Sequence, residues 1–168
     1  GDDLIVMFPG HGVWAFRNNA TWSHIHGFDA TMMVAGDLDA ATGADDLLLM
    51  FPGRGLYRYA NHATWTLVHT FNVARAAVGD IDGNGRDDIV IDFGAGVGLW
   101  TLSNGTTWAP LHSMTSEGLV VSDLNSNGRA DIAIDFGPSA GTWLRLDDGT
   151  WPQVHSLSAS GLATADLN

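Results

Sequence analysis

The apolar positions of this chain fall in short runs. Within one stretch, Ala76-Ala77-Val78-Gly79, Ile89-Val90-Ile91-Asp92-Phe93, Leu99-Trp100-Thr101-Leu102 and Thr107-Trp108-Ala109-Pro110-Leu111-His112 are separated by Gly, Asp, Asn and Ser. Short branched and aromatic runs bounded by turn residues predict β-strands. Asn104-Gly105 predicts a tight hairpin turn between the last two. Pro110 cannot donate to a ladder, so its strand belongs at an outer edge, and Pro152 repeats the signal. Leu99 beside Trp100, and Trp108 with Leu111, put apolar groups on both faces, as in sheets covered on both sides. No stretch carries a helical period of useful length.

The pattern then repeats. Trp22, Trp65, Trp108 and Trp151, each after a threonine, are 43 residues apart. The same spacing relates His26, His69, His112 and His155; Trp14, Tyr57, Trp100 and Trp143; and Asp37, Asp80, Asp123 and Asp166. Four short strands per period of this length are the signature of a propeller blade. The expected fold is an all-β propeller of four four-stranded repeats in one domain spanning 1–168, with repeats at about 1–36, 37–79, 80–122 and 123–165. Residues Asp2-Asp3-Leu4-Ile5-Val6 read as a second strand and Ala163-Thr164-Ala165-Asp166 as a first strand. The expected ring therefore closes by strand exchange, within one four-bladed chain or between two chains as an eight-bladed homodimer. A cut from a longer array is a further reading.

The repeats also form two pairs. Met7-Phe8-Pro9-Gly10 matches Met50-Phe51-Pro52-Gly53, and Ile91-Asp92-Phe93-Gly94 matches Ile134-Asp135-Phe136-Gly137. Asp92 and Asp135 thus replace Met7 and Met50. Pairing with histidines of a neighbouring blade and a place in a ligand pocket are both open for them.

Between the first two strands of a repeat lies an acidic loop. Asp80, Asp82, Asn84 and Asp88 fill positions 1, 3, 5 and 9, with Gly85 at position 6. A hard cation needs six to eight oxygens, and this spacing wraps them around one centre while glycine makes the turn. Asp123, Asn125, Asn127 and Asp131 repeat the pattern. The bland alternative is a set of Asx-turns that satisfy themselves. The loop at Asp37 is degraded, with Ala41 at position 5 and one extra residue before Asp46.

The net charge is −12 and lysine is absent, which argues against nucleic acid and anionic membrane surfaces as partners. There is no cysteine, hence no disulfide or thiolate metal site. Glu117 is the sole glutamate, and no nucleophile elbow, zinc-protease helix or phosphate loop occurs, so an enzyme is not expected. His24 and His26 share a strand, but the other repeats carry Leu67, Pro110 and Gln153 at the first position, which weakens a metal reading.

Each Trp-x-x-x-His places two side chains four apart, on one face of an ideal strand. Trp22 with His26, Trp65 with His69, Trp108 with His112 and Trp151 with His155 are the candidate ligand sites. A sugar stacks its C–H face on an aromatic ring while polar neighbours take its hydroxyls. Packing between blades is the competing role.

The run Gly79-Asp80-Ile81-Asp82-Gly83-Asn84-Gly85-Arg86-Asp87-Asp88-Ile89-Val90-Ile91-Asp92-Phe93-Gly94 resembles the FG-GAP/VCBS repeat, the calcium-loop blade of integrin α-chain propellers and of many bacterial secreted proteins. The Gly-Leu-Trp and Thr-Trp elements are similar to propeller lectins of that repeat type. The resemblance implies calcium held by Asp80, Asp82, Asn84, Asp88 and the Arg86 carbonyl. It implies a second, weaker site from Asp123, Asn125, Asn127, Asp131 and the Arg129 carbonyl. Asp37, Asp39 and Asp45 are a weaker candidate still. The expected protein is an extracellular, secreted glycan-binding module stabilised by calcium. A structural or adhesion segment without a glycan site is the alternative.

Overall fold

A computed structural model describes residues 3–39 and 44–165 of the chain. Ala41 and the Asp166-Leu167-Asn168 end of the repeat pattern lie outside them. The described residues form antiparallel sheets joined in series. The first holds β1 (Leu4–Phe8), β2 (Gly12–Arg17) and β3 (Thr21–His26). The second holds β4 (Met32–Gly36), β5 (Asp46–Phe51), β6 (Gly55–Ala60) and β7 (Thr64–His69). The third holds β8 (Arg75–Gly79), β9 (Asp88–Asp92), β10 (Leu99–Ser103) and β11 (Thr107–His112). The fourth holds β12 (Gly118–Ser122), β13 (Asp131–Asp135), β14 (Thr142–Arg145) and β15 (Gln153–His155).

The expectation of four strands in every sheet thus holds for three. The first sheet has three, and Gly161–Ala165, which the repeat marks as an inner strand, forms none. β8 packs against β4 and β12 against β8, with no comparable packing of β12 on β1. Among the described residues the sheets follow one another in series, with no ladder that closes a ring.

The second strand of each four-stranded sheet is buried on both faces, which explains its unbroken apolar run. Leu47, Leu49 and Phe51 pack toward the first sheet with Val13. Leu48 and Met50 pack the other way, onto Ile89 and Ile91. Val90 continues the series onto Ile132 and Ile134. Each such side chain contributes about 1.5–3 kcal/mol by leaving water, so the seams between sheets are the core. Pro110 sits in β11 at the sheet edge, as its missing N–H requires. Asn104 and Gly105 have φ of 55° and 67°, the left-handed pair of a tight hairpin.

The linkers between sheets are clamped in two ways. The Asp92 carboxylate, fully buried, accepts from the Thr115 and Ser116 hydroxyls and the Ser116 and Gly94 N–H groups. Asp135 does the same for Ser158 and Ala159. In the first two sheets the acceptor sits on the linker instead. Asp29 accepts from the Gly10 and Gly12 N–H groups, and Asn72 accepts from the Gly53 N–H. The two aspartates therefore bond linker and turn donors rather than histidines. They and the linker residues are interchangeable halves of one clamp, which accounts for the pairing of repeats.

Candidate ligand pockets and metal loops

Tryptophan and histidine of one repeat do not form a site together. A β-bulge pairs Leu99 with His112 and Trp100 with Pro110, leaving Leu111 as the extra residue of β11. The bulge reverses the alternation, so Trp108 and His112 turn to opposite seams. Gly98 makes room for it: its φ is 81°, and a Cβ there would collide with the His112 carbonyl. The same shift occurs in the first, second and fourth sheets.

His26, His69 and His112 consequently meet the next sheet. The His26 ring lies 4.6 Å from Phe51 and 5.0 Å from Trp65 between centroids. His69 lies 4.7 Å from Phe93 and 5.6 Å from Trp108. His112 lies 4.5 Å from Phe136 and 5.5 Å from Trp151. The phenylalanine, overlooked in the sequence reading, recurs at Phe8, Phe51, Phe93 and Phe136 before the glycine turn. Trp22 contacts Phe8 and Phe16, while His155 is exposed with no sheet beyond it.

Every one of these histidines accepts at Nδ1 from the backbone N–H two residues on, in Phe28, Phe71, Met114 and Leu157. An accepting Nδ1 leaves the proton on Nε2, so each neutral ring presents a donor. Burial, then His24 and Arg54, hold the His26 pKa below 6.5. A depressed folded-state value contributes stability above the unfolded pKa that is lost as pH falls through the folded one. The melting temperature should therefore drop between pH 7.5 and pH 5, and His26→Gln should flatten part of that drop. An unchanged slope in the variant would remove this assignment. His24 lies 4.7 Å from the Trp14 ring between centroids, and among the described residues it is not part of a group of three metal-ligating side chains.

The seam between the third and fourth sheets opens into a cavity of about 300 Å³ lined by His112, Met114, Phe136, Ala140, Trp143 and Trp151. Trp143 is tied to the turn by its indole N–H on the Ala140 carbonyl at 2.8 Å. In the first seam Arg54 occupies the position of Ala140, and its guanidinium lies 3.7 Å over the Phe28 ring. Cavity shape thus differs among seams built on one plan.

The acidic loops are held by their own carboxylates. Asp80 accepts from the Gly83, Asn84 and Gly85 N–H groups at 2.7–2.9 Å. Asn84 accepts from the Arg86 N–H, and the Arg86 guanidinium reaches the Leu38 carbonyl of the preceding loop. Asp88 is 1% exposed; its Oδ1 accepts from the Asn104 N–H, while Oδ2 is buried without a partner. Burial first, with Asp82 and Asp80 adding repulsion, raises its pKa. In the second loop Asp123 accepts from Asn127 and Gly128, and Asn127 accepts from the Arg129 N–H. Asp131 accepts from the Asp147 and Leu124 N–H groups. These are the bonds of Asx-turns. Among the described residues no three His, Asp or Glu side chains are grouped as a metal site.

Two loop partners come from elsewhere in the chain. Asn104, in the hairpin of the third sheet, donates to Asp82 at 2.9 Å and accepts from Asn84. Asp147, its counterpart in the fourth, accepts from Asn127 at 3.0 Å and Asn125 at 3.5 Å. The carboxylate that the second loop lacks at Asn125 is therefore supplied across the sheet by Asp147.

The loop at Asp37 is built differently. Asp46, not Asp45, begins its strand opposite Gly36, as Asp88 does opposite Gly79; Asp45 is exposed. The inserted residue displaces Asp45 from the ligand position. Arg58 then bridges Asp39 at 2.5 Å and Asp46 at 2.6 Å. A guanidinium therefore stands between Asp39 and Asp46. The matching positions elsewhere are Ala15, Thr101 and Leu144, so a lone arginine in that column was the available signal.

No protein-family model matches the chain, and no curated protein sequence does. A solved structure described as the basis of specific recognition of non-reducing terminal N-acetylglucosamine by an Agrocybe aegerita lectin matches it with a TM-score of 0.60 at 18% identity. The match covers 95% of this chain and 53% of that one, so the chain spans about half the length of that lectin. The shared feature is the fold: an all-β, propeller-like series of antiparallel sheets.

Proposed function

We propose that this chain is a non-enzymatic, secreted carbohydrate-binding module whose sites are the seams between sheets. The carrying observation is the cavity between His112 and Trp151. Its volume of about 300 Å³ is at the small end of ligand sites, and it is apolar and aromatic with a few polar groups, as such sites are. Trp151 and Phe136 offer faces for sugar C–H groups, and His112 Nε2–H offers a donor. The fold shared with a lectin that recognises terminal N-acetylglucosamine supports the reading and makes that sugar the first probe. Repeated seams join weak contacts into avidity on a multivalent surface.

Calcium belongs to the same proposal. The orphaned Asp88 Oδ2, buried beside Asp80 and Asp82, fits a cation held by Asp80, Asp82, Asn84, Asp88 and the Arg86 carbonyl. Asp123, Asn125, Asn127, Asp131 and the Arg129 carbonyl form the second candidate set, with Asp147 adjacent. Calcium there would neutralise loop carboxylates and brace the strands that flank each loop.

A glycan array tests the sugar reading. Binding to terminal N-acetylhexosamines is expected, with Trp151→Ala and His112→Ala each lowering the signal at least tenfold. A folded protein silent on every sugar would favour the adhesion or structural role instead. Chelator should lower the melting temperature if calcium binds the folded state; an identical melt with and without chelator ends the calcium part.

A further inference from the structure

We infer that the seam sites are acid-labile: a proton taken up by His112 breaks the bond that holds Met114 at the cavity mouth, and His69 with Phe71 and His26 with Phe28 carry the same latch. The latch itself is independent of any sugar; its effect on binding rests on the carbohydrate reading above.

Each latch is one bond. His112 Nδ1 accepts from the Met114 N–H at 3.1 Å, His69 from Phe71 at 3.1 Å and His26 from Phe28 at 3.0 Å. Only a neutral ring can accept there. An imidazolium carries hydrogen on both nitrogens, so its Nδ1–H faces the backbone N–H donor to donor. Histidine changes charge between about pH 5 and 8, so mild acid is enough to break the bond.

The latched residues have little else to hold them. Met114 is 37% exposed, Phe28 43% and Phe71 56%. An apolar side chain this exposed gains only part of the stabilisation of leaving water, so its place at the seam depends on the backbone bond. Met114 lines the cavity between the third and fourth sheets together with His112. Beyond it the linker is fixed by Asp92, which accepts from Thr115 and Ser116. That clamp contains no histidine, so acid frees the cavity wall and leaves the sheets in place.

Nothing around the rings compensates the added charge. His112 meets Phe136 and Trp151, and His69 meets Phe71, Phe93 and Trp108. These faces attract a cation weakly, but none replaces the bond lost at Nδ1. The carboxylates of the adjoining strands, Asp92 and Asp135, are spent on the clamps, and Asp29 on Gly10 and Gly12. Burial, then His24 and Arg54, oppose a charge on His26. Among the described residues no carboxylate is ion-paired with any of the three rings.

Nitrogen-15 NMR of the full chain reads ring and latch together. At pH 7.5 the His112 Nδ1 should show the shift of an unprotonated acceptor. On lowering the pH to 5, the Met114 and Phe71 amides should lose protection against exchange about tenfold, in step with ring protonation, while those of β9 and β13 keep theirs. A ring that protonates with the Met114 amide unchanged overturns the inference, as does a ring still neutral at pH 5. His112→Asn is the second arm, because an asparagine side chain accepts from the N–H two residues on without titrating. Its Met114 amide should stay protected at pH 5; a loss equal to the parent's overturns the assignment to His112. Binding of N-acetylglucosamine should be about fivefold weaker at pH 5 than at pH 7.5. Equal binding at both pH values overturns the control of the seam. No binding at either sinks the carbohydrate reading, and amide exchange still decides the latch.

Discussion

Replacing Asp92 with methionine is expected to lower stability by about 3–4 kcal/mol, or roughly 10 °C in melting temperature for a domain of this size. The residue looks exchangeable, because Met50 holds the same place in the second sheet. It is not, because the clamp has two halves. Asp92 accepts from two hydroxyls and two backbone N–H groups in a buried site. Methionine fills the space and leaves those donors without an acceptor; each unsatisfied buried group costs about 1–3 kcal/mol. In the second sheet the acceptor is Asn72, reaching the turn at Gly53. The triple variant Asp92→Met, Thr115→Asn, Ser116→Val recreates that arrangement and should recover most of the loss. A denaturant series on the single and triple variants measures the coupling. A single-variant cost under about 1 kcal/mol, or a triple variant as unstable as the single, would show that the two clamps are not equivalent.

Arg58→Thr should cost about 2–3 kcal/mol at pH 7, discounted because Arg58 and Asp39 retain some solvent. The substitution installs the residue of the third sheet, Thr101, and removes the guanidinium that bridges Asp39 and Asp46. Burial raises the Asp46 pKa and Arg58 opposes the rise, so the variant raises it further. A raised folded-state value gives stability present below the unfolded pKa and lost as pH rises through the folded one. The deficit should therefore be largest near neutral pH and shrink toward pH 4. Millimolar calcium should restore part of the loss in the variant while the Asp37 loop of the parent stays indifferent, its cation position being held by the guanidinium. Thermal melts at several pH values, with calcium and with chelator, read both effects. A deficit independent of pH would mean that Arg58 acts by packing alone.

Several features were legible because they are local. Strand lengths, the Asn104-Gly105 turn and the edge proline follow from backbone restrictions on single residues. The acidic loops follow from spacing within nine positions. The two pairs of repeats were visible as Met7 and Met50 against Asp92 and Asp135, but their meaning was not, since the compensating change lies in the linker at Asp29, Asn72, Thr115 and Ser158. Arg58 and Asp147 act on loops far from them in sequence, and no loop motif contains them.

The amino-acid sequence by itself determined the repeat, the short strands and the Asn104-Gly105 turn, because those depend on each residue's own backbone and on its nearest neighbours. Which surfaces meet was decided only in three dimensions. One extra residue in each outer strand reverses the side-chain alternation, and that bulge sends His26, His69 and His112 to the tryptophan of the following sheet rather than to their own.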